Sequence, residues 1–89
     1  MARLHLIWHP QAWDDYIFWQ SQDRKTLKRI NALLVDIERD PYDGIGQPEP
    51  LKWDLRGYWS RRIDDYNRLI YRVADGKTAD IIHCRGHYD

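Results

Sequence analysis

The run Tyr58-Trp59-Ser60-Arg61-Arg62-Ile63, the polar break Asp64-Asp65-Tyr66-Asn67 and the run Arg68-Leu69-Ile70-Tyr71 constrain the fold more than any other part of the chain. Aromatic and branched residues on both sides of a polar break are the pattern of an antiparallel hairpin. Arginines stand near the turn on both arms, Arg61 and Arg62 entering and Arg68 leaving. Guanidinium groups held on a stiff sheet make a fixed fork for phosphate oxygens. Two registers are open. A three-residue loop pairs Arg62 with Arg68 and puts both on one face. A two- or four-residue loop pairs Arg62 with Leu69 and splits them, because one step of register exchanges the faces. Read as structure alone, these arginines are solvated charges at a sheet edge.

The chain has 89 residues, enough for one domain (1–89) with a modest core. A hydrophobic content of 43% with five Trp and six Tyr supports a packed fold and argues against disorder. No apolar run approaches the length that spans a membrane, and the first residues lack the apolar core of a signal peptide. A cytoplasmic protein without membrane association is therefore expected. The single cysteine, Cys84, permits no internal disulfide, in keeping with a reducing compartment. Net charge is zero, 14 basic against 14 acidic residues, which counts against a free nucleic-acid binder. The charge is nevertheless sorted: Lys52 to Arg72 carries six basic and three acidic residues.

Leu4 to Trp8 reads as a first strand, and Pro10 suits the first position of a helix, where its missing N–H would be unpaired anyway. Gln11 to Gln20 is predicted helical, with Trp13, Tyr16, Ile17 and Gln20 at helical spacing. Asp23 is a natural N-cap for a second helix running to about Arg39, with Leu27, Ile30, Leu34 and Ile37 as its apolar stripe. Arg24, Lys25, Lys28 and Arg29 crowd the N-terminal half of that helix, the unfavourable end for positive charge. Such a face is either an ordinary solvated one or is kept to bind something acidic. Tyr42 to Leu55 is predicted as a long shaped loop in which Glu49 is held between Pro48 and Pro50. The last strand is predicted over Thr78 to Tyr88, with Ile82, Cys84, Gly86 and Tyr88 on one side and Ile81, His83, Arg85 and His87 on the other.

His5, His9, His83 and His87 lack a third ligand at standard metal-site spacing, and one cysteine makes no thiolate set, so no metal and no cofactor are expected. Cys84 is most simply a small core residue. A metal-free acid–base site fits better. Glu49 can accept a proton at neutral pH, and an imidazole such as His87 can donate one there. Lys52, Arg62 and Arg68 can stabilise negative charge on a phosphoryl group, and Tyr88 can stack on a base. These are the parts of a metal-independent ribonuclease. Each also has an ordinary reading: His87 as a chain-end residue, Tyr88 as core, Lys52 and Glu49 as solvated charges.

Leu6-Ile7-Trp8, Trp13-Asp14-Asp15-Tyr16, Pro48-Glu49-Pro50-Leu51-Lys52, Trp59-Ser60-Arg61-Arg62-Ile63, Arg68-Leu69-Ile70-Tyr71 and the terminal His87-Tyr88 resemble, in the same order, the YoeB (Txe) branch of the RelE-type toxins of bacterial toxin–antitoxin systems. The resemblance implies a RelE-like α+β fold, two N-terminal helices packed on a small, twisted, mostly antiparallel sheet. It implies ribosome-dependent, metal-independent cleavage of mRNA in the decoding site by attack of a ribose 2′-hydroxyl on the adjacent phosphate. By motif, Glu49 matches the general base, His87 the general acid and Arg68 the phosphate-stabilising arginine. Lys52 and Arg62 match supporting basic positions and Tyr88 a tyrosine near the substrate. Arg24, Lys25, Lys28 and Arg29 would face ribosomal RNA. The implied partners are the ribosome, mRNA, a second copy of the chain in a homodimer, and a YefM-like antitoxin whose acidic, partly disordered segment covers the site. Three positions depart from the pattern the resemblance implies: Asn67 before Arg68 and Gly86 before His87, each standing where a bulkier side chain is expected, and Asp89, which adds a carboxylate after Tyr88.

Two other functions are compatible with such a fold. One is a non-enzymatic toxin acting by protein binding, like the related inhibitors of DNA gyrase, which lack the acid–base pair. The other is a plain RNA-binding module, in which the arginines would matter and Glu49 would not.

Overall fold

The computed structural model describes residues 3–87. In chain order the elements are β1 (His5–Trp8), α1 (Pro10–Gln22), α2 (Arg24–Arg39), β2 (Glu49–Pro50), a 3-10 turn (Trp53–Leu55), β3 (Trp59–Arg62), β4 (Arg68–Val73) and β5 (Thr78–His83). Among the described residues the strands form one sheet in the order β1-β5-β4-β3-β2. β1 runs parallel to β5, and the other neighbours are antiparallel. The helices pack on one face of this sheet around Ile30, Leu33, Ile37, Leu69, Tyr71, Ala79 and Ile81, which gives the expected α+β architecture.

The second helix begins where its cap predicts. Asp23 Oδ2 accepts the Thr26 hydroxyl at 2.8 Å, and its Oδ1 accepts the Lys25 and Thr26 N–H groups at 3.0 and 3.2 Å. These bonds, the Thr26 hydroxyl foremost, hold the Asp23 carboxyl below its ordinary range. α2 buries Ile30, Leu33, Leu34 and Ile37, while Leu27 is only partly covered. Each fully buried aliphatic side chain on that stripe stabilises the fold by about 1.5–3 kcal/mol.

The first helix turns a different face inward from the one its apolar pattern marks. Ala12, Asp15 and Trp19 are buried, whereas Trp13 and Ile17 remain 48% and 45% exposed. The cause is polar. Asp15 accepts the Cys84 N–H at 3.0 Å and the Gln11 amide at 2.8 Å, and Trp19 Nε1 donates to the Cys84 carbonyl at 2.8 Å. A buried carboxylate is tolerable when it is hydrogen-bonded in this way, and no hydrophobic periodicity can announce it.

The last strand departs from simple alternation at Ile82. Tyr71 lies opposite Ile81, but Ile70 lies opposite His83, so Ile82 is an extra residue, a β-bulge. Ile81 and Cys84 consequently both reach the core, where strict alternation would have separated them. The strand ends at His83, short of the predicted Tyr88. Burial, assisted by the charge of Asp15, pushes the Cys84 thiol up to about 12, so it is a packing residue and no nucleophile.

Candidate active site

The hairpin takes the register of the three-residue loop. Ile63 N–H donates to the Asn67 carbonyl at 3.0 Å, and Arg62 lies opposite Arg68. Both arginines therefore leave the same face of the sheet. Asp64 shapes the turn by accepting the Asn67 and Tyr66 N–H groups at 2.6 and 2.8 Å and the Asn67 amide at 2.9 Å. Burial alone would raise the Asp64 pKa, but the Asn67 bonds outweigh it and the carboxyl lies below its usual range. Arg68 is held by one edge of its guanidinium: Nη1 donates to the carbonyls of Asp64 at 2.7 Å and Asn67 at 3.1 Å.

Glu49 sits on a two-residue edge strand rather than in the loop predicted for it. It lies opposite Ser60, two residues before Arg62, so its side chain shares the face of Arg62 and Arg68. A sheet edge is where flanking prolines are tolerated, since their missing N–H groups face outward. This face is the one turned away from the helices.

Arg61 belongs to the other face and stands apart from the Arg62–Arg68 pair. It is 0% exposed. Its guanidinium pairs with Asp36 and donates to the carbonyls of Asp40 at 2.6 Å, Ile45 at 3.0 Å and Asp43 at 3.3 Å, and to the Tyr71 hydroxyl at 3.1 Å. Asp36 also accepts the Ile45 N–H at 2.9 Å. The segment leading to β2 is thus tied to α2 and β3 by one buried ion pair. Gly44 permits this approach: its φ is 136°, and a Cβ there would overlap the Asp36 carboxylate. Arg62 N–H then donates to the Gly46 carbonyl at 2.7 Å, which delivers Pro48, Glu49 and Pro50 to the sheet edge.

The segment from Cys84 to His87 is carried to the cleft face by two grips. The first is the Asp15 and Trp19 pair on Cys84. The second is the hairpin turn: Asn67 Oδ1 accepts the Gly86 N–H at 2.7 Å, and Arg68 N–H donates to the Gly86 carbonyl at 3.0 Å. His87 then lies beside Tyr66, its Nδ1 3.3 Å from the Tyr66 carbonyl and the two rings 5.6 Å apart between centroids.

The result is an open cleft of about 590 Å³ whose lining includes Glu49, Lys52, Trp53, Arg62, Arg68 and His87. Five of the predicted site residues therefore meet in one place, and the sixth, Tyr88, lies outside the described residues. On α2, Arg24, Lys25 and Lys28 are exposed, whereas Arg29 is partly buried and donates to the Arg62 carbonyl at 3.2 Å. Among the described residues, no three His, Cys, Asp or Glu side chains are grouped to hold a metal ion, and no helix is long and apolar enough to cross a membrane. Asp15, Trp19 and Trp53 are residues of this region to which the sequence assigned no role, and Asn67 was marked there only as an unusual neighbour of Arg68.

Residues 8–88 match the family described as the YoeB-like toxin of bacterial type II toxin–antitoxin systems. The chain is 51% identical over 85 residues to Toxin YoeB of Streptomyces coelicolor, covering 96% of this chain and 100% of that one. A solved YoeB/ParE toxin from Agrobacterium tumefaciens superposes with a TM-score of 0.91 at 45% identity, covering 96% of this chain and 100% of that chain. A chain of the heterotetrameric YoeB–YefM toxin–antitoxin complex of Staphylococcus aureus gives a TM-score of 0.86 at 46% identity, covering 98% and 100%. With the family match spanning nearly its whole length and half its residues shared with a named toxin, this chain belongs to the YoeB-like toxins of bacterial toxin–antitoxin systems.

Proposed function

We propose that this toxin is an mRNA endoribonuclease that works in the decoding site of the ribosome and so inhibits translation. The observation that carries the reading is the joint presence of Glu49, Arg62, Arg68 and His87 on the lining of one open cleft. Glu49 takes the proton of a ribose 2′-hydroxyl as that oxygen attacks the adjacent phosphorus. The bond from phosphorus to the 5′-oxygen of the next nucleotide breaks, and His87 gives that oxygen its proton. The products are a 2′,3′-cyclic phosphate and a 5′-hydroxyl, and the step as written uses no metal or cofactor. Arg68, fixed by two turn carbonyls, faces the charge that grows on the phosphoryl oxygens. Arg62 and Lys52 bind the flanking backbone, and Tyr88, the last aromatic of the chain, completes the substrate contacts.

Arg24, Lys25 and Lys28 form an exposed basic patch suited to ribosomal RNA. A YefM-like antitoxin with an acidic segment fits the cations of the cleft, and the Staphylococcus aureus pair supports such a complex. The half-exposed Trp13 and Ile17 on α1 support a homodimer contact. Primer extension on a translated message, with the wild-type toxin and with Glu49→Gln and His87→Gln, tests the reading. A cut that the wild type makes and both variants lose supports it. Equal toxicity of all three proteins without any cut would favour a non-enzymatic binder, whether of protein or of RNA.

A further inference from the structure

Trp53 is 87% exposed, more than any other exposed large hydrophobic side chain among the described residues. It lines the cleft together with Lys52, Arg62, Arg68 and His87. Its backbone is left-handed, with φ at 58°, a region that a bulky side chain rarely occupies unless its surroundings impose it. Here the surroundings are the 3-10 turn: Leu55 N–H donates to the Lys52 carbonyl and Arg56 N–H to the Trp53 carbonyl, both at 3.1 Å. Neither the turn's hydrogen bonds nor the core uses the indole. Folding therefore gives no reason to keep a large apolar ring in water at a strained position. Ligand binding does. A flat aromatic surface beside a row of cations is the composition of sites that hold single-stranded nucleic acid, with bases stacked on rings and phosphates on basic side chains.

Given the nuclease reading, on which this rests, we propose that Trp53 is a stacking platform for a nucleobase of the RNA next to the cleaved linkage. The base lies on the indole while the backbone crosses Lys52, Arg62 and Arg68. Because every base has a π-face, this subsite contributes affinity and placement and little preference among bases.

The test uses ribosomes programmed with a defined message and measures single-turnover cleavage against toxin concentration. Trp53→Ala and Trp53→Leu should each raise the half-saturating concentration about tenfold or more, and Trp53→Phe should stay within about threefold of the wild type. An abasic nucleotide placed at each codon position in turn identifies the stacked base. At one position it should weaken the wild type as much as Trp53→Ala does, and add little to Trp53→Ala itself. A Trp53→Ala protein that saturates like the wild type, or abasic effects that add fully at every position, overturns the stacking site and leaves the nuclease reading intact. A wild-type protein that leaves the message uncut overturns both.

Discussion

Asn67, in the hairpin turn, and Gly86, near the end of the described chain, are bonded to each other: the asparagine Oδ1 accepts the glycine N–H at 2.7 Å. Gly86 has φ at 95° with no heavy atom near its missing Cβ, so it is needed for its backbone conformation rather than for space. The bond sets Gly86 and His87 beside the turn that carries Arg68.

Asn67→Ala should therefore impair chemistry more than folding. The side chain makes two hydrogen bonds, accepting from the Gly86 N–H and donating its amide to Asp64, and losing both destabilises the protein by about 1–3 kcal/mol. A misplaced general acid costs about 10- to 100-fold in the saturating cleavage rate. Urea unfolding and single-turnover cleavage, run on the same variant, separate the two effects. A rate loss no larger than the stability loss predicts would remove Asn67 from the positioning of His87.

Arg61 and Arg62 are adjacent and should behave oppositely. Arg61→Ala leaves Asp36 without its buried partner and should cost about 3–5 kcal/mol in urea unfolding. Arg62→Ala is exposed and should change stability by less than about 0.5 kcal/mol while weakening cleavage. Similar stabilities for the two variants would contradict the opposite-face assignment.

Arg68→Ala should slow cleavage by about 100-fold, the scale of losing one preorganised transition-state donor. Sedimentation with ribosomes should show binding close to that of the wild type. Equal losses in both measurements would demote Arg68 to a docking residue.

The Asp36 pair makes a pH prediction. Burial alone would raise the Asp36 pKa, but hydrogen bonds from Arg61 and Arg39 prevail and set it below 3.8. A carboxyl depressed on folding contributes stability that is complete above its unfolded value and is lost as pH falls through its folded value. The wild type should therefore weaken below about pH 4 in urea titrations. Asp36→Asn should be less stable at neutral pH and lose less on acidification. An unchanged acid slope would contradict the pairing.

What was legible in the sequence followed from local rules. The Asp23 cap, the apolar stripe of α2 and the hairpin arms each rest on residues within a few positions of one another. The hairpin's polar break gave two registers, and the Ile63–Asn67 bond chooses between them. What was hidden depends on contacts between distant segments. Asp15 is inward because Cys84, 69 residues later, donates to it. The bulge at Ile82 is invisible in a run of β-prone residues, yet it decides which faces Ile81 and Cys84 share. The Arg61-Arg62 doublet reads as one basic cluster until the pleat sends the two side chains to opposite sides. The gathering of Glu49, Arg62, Arg68 and His87 was suggested by family resemblance, and the structure supplies the grips on Asp36, Cys84 and Gly86 that bring them together.

The central claim is that Glu49 and His87 act as base and acid on one ribose–phosphate linkage. Single-turnover cleavage of a message in the decoding site, measured for Glu49→Gln and His87→Gln across pH, tests it most directly. Each variant should lose about 10²- to 10⁴-fold in rate, keep its affinity for the ribosome, and lose one limb of the wild-type pH profile. A variant of either kind that cuts at the wild-type rate with both limbs intact would contradict the account.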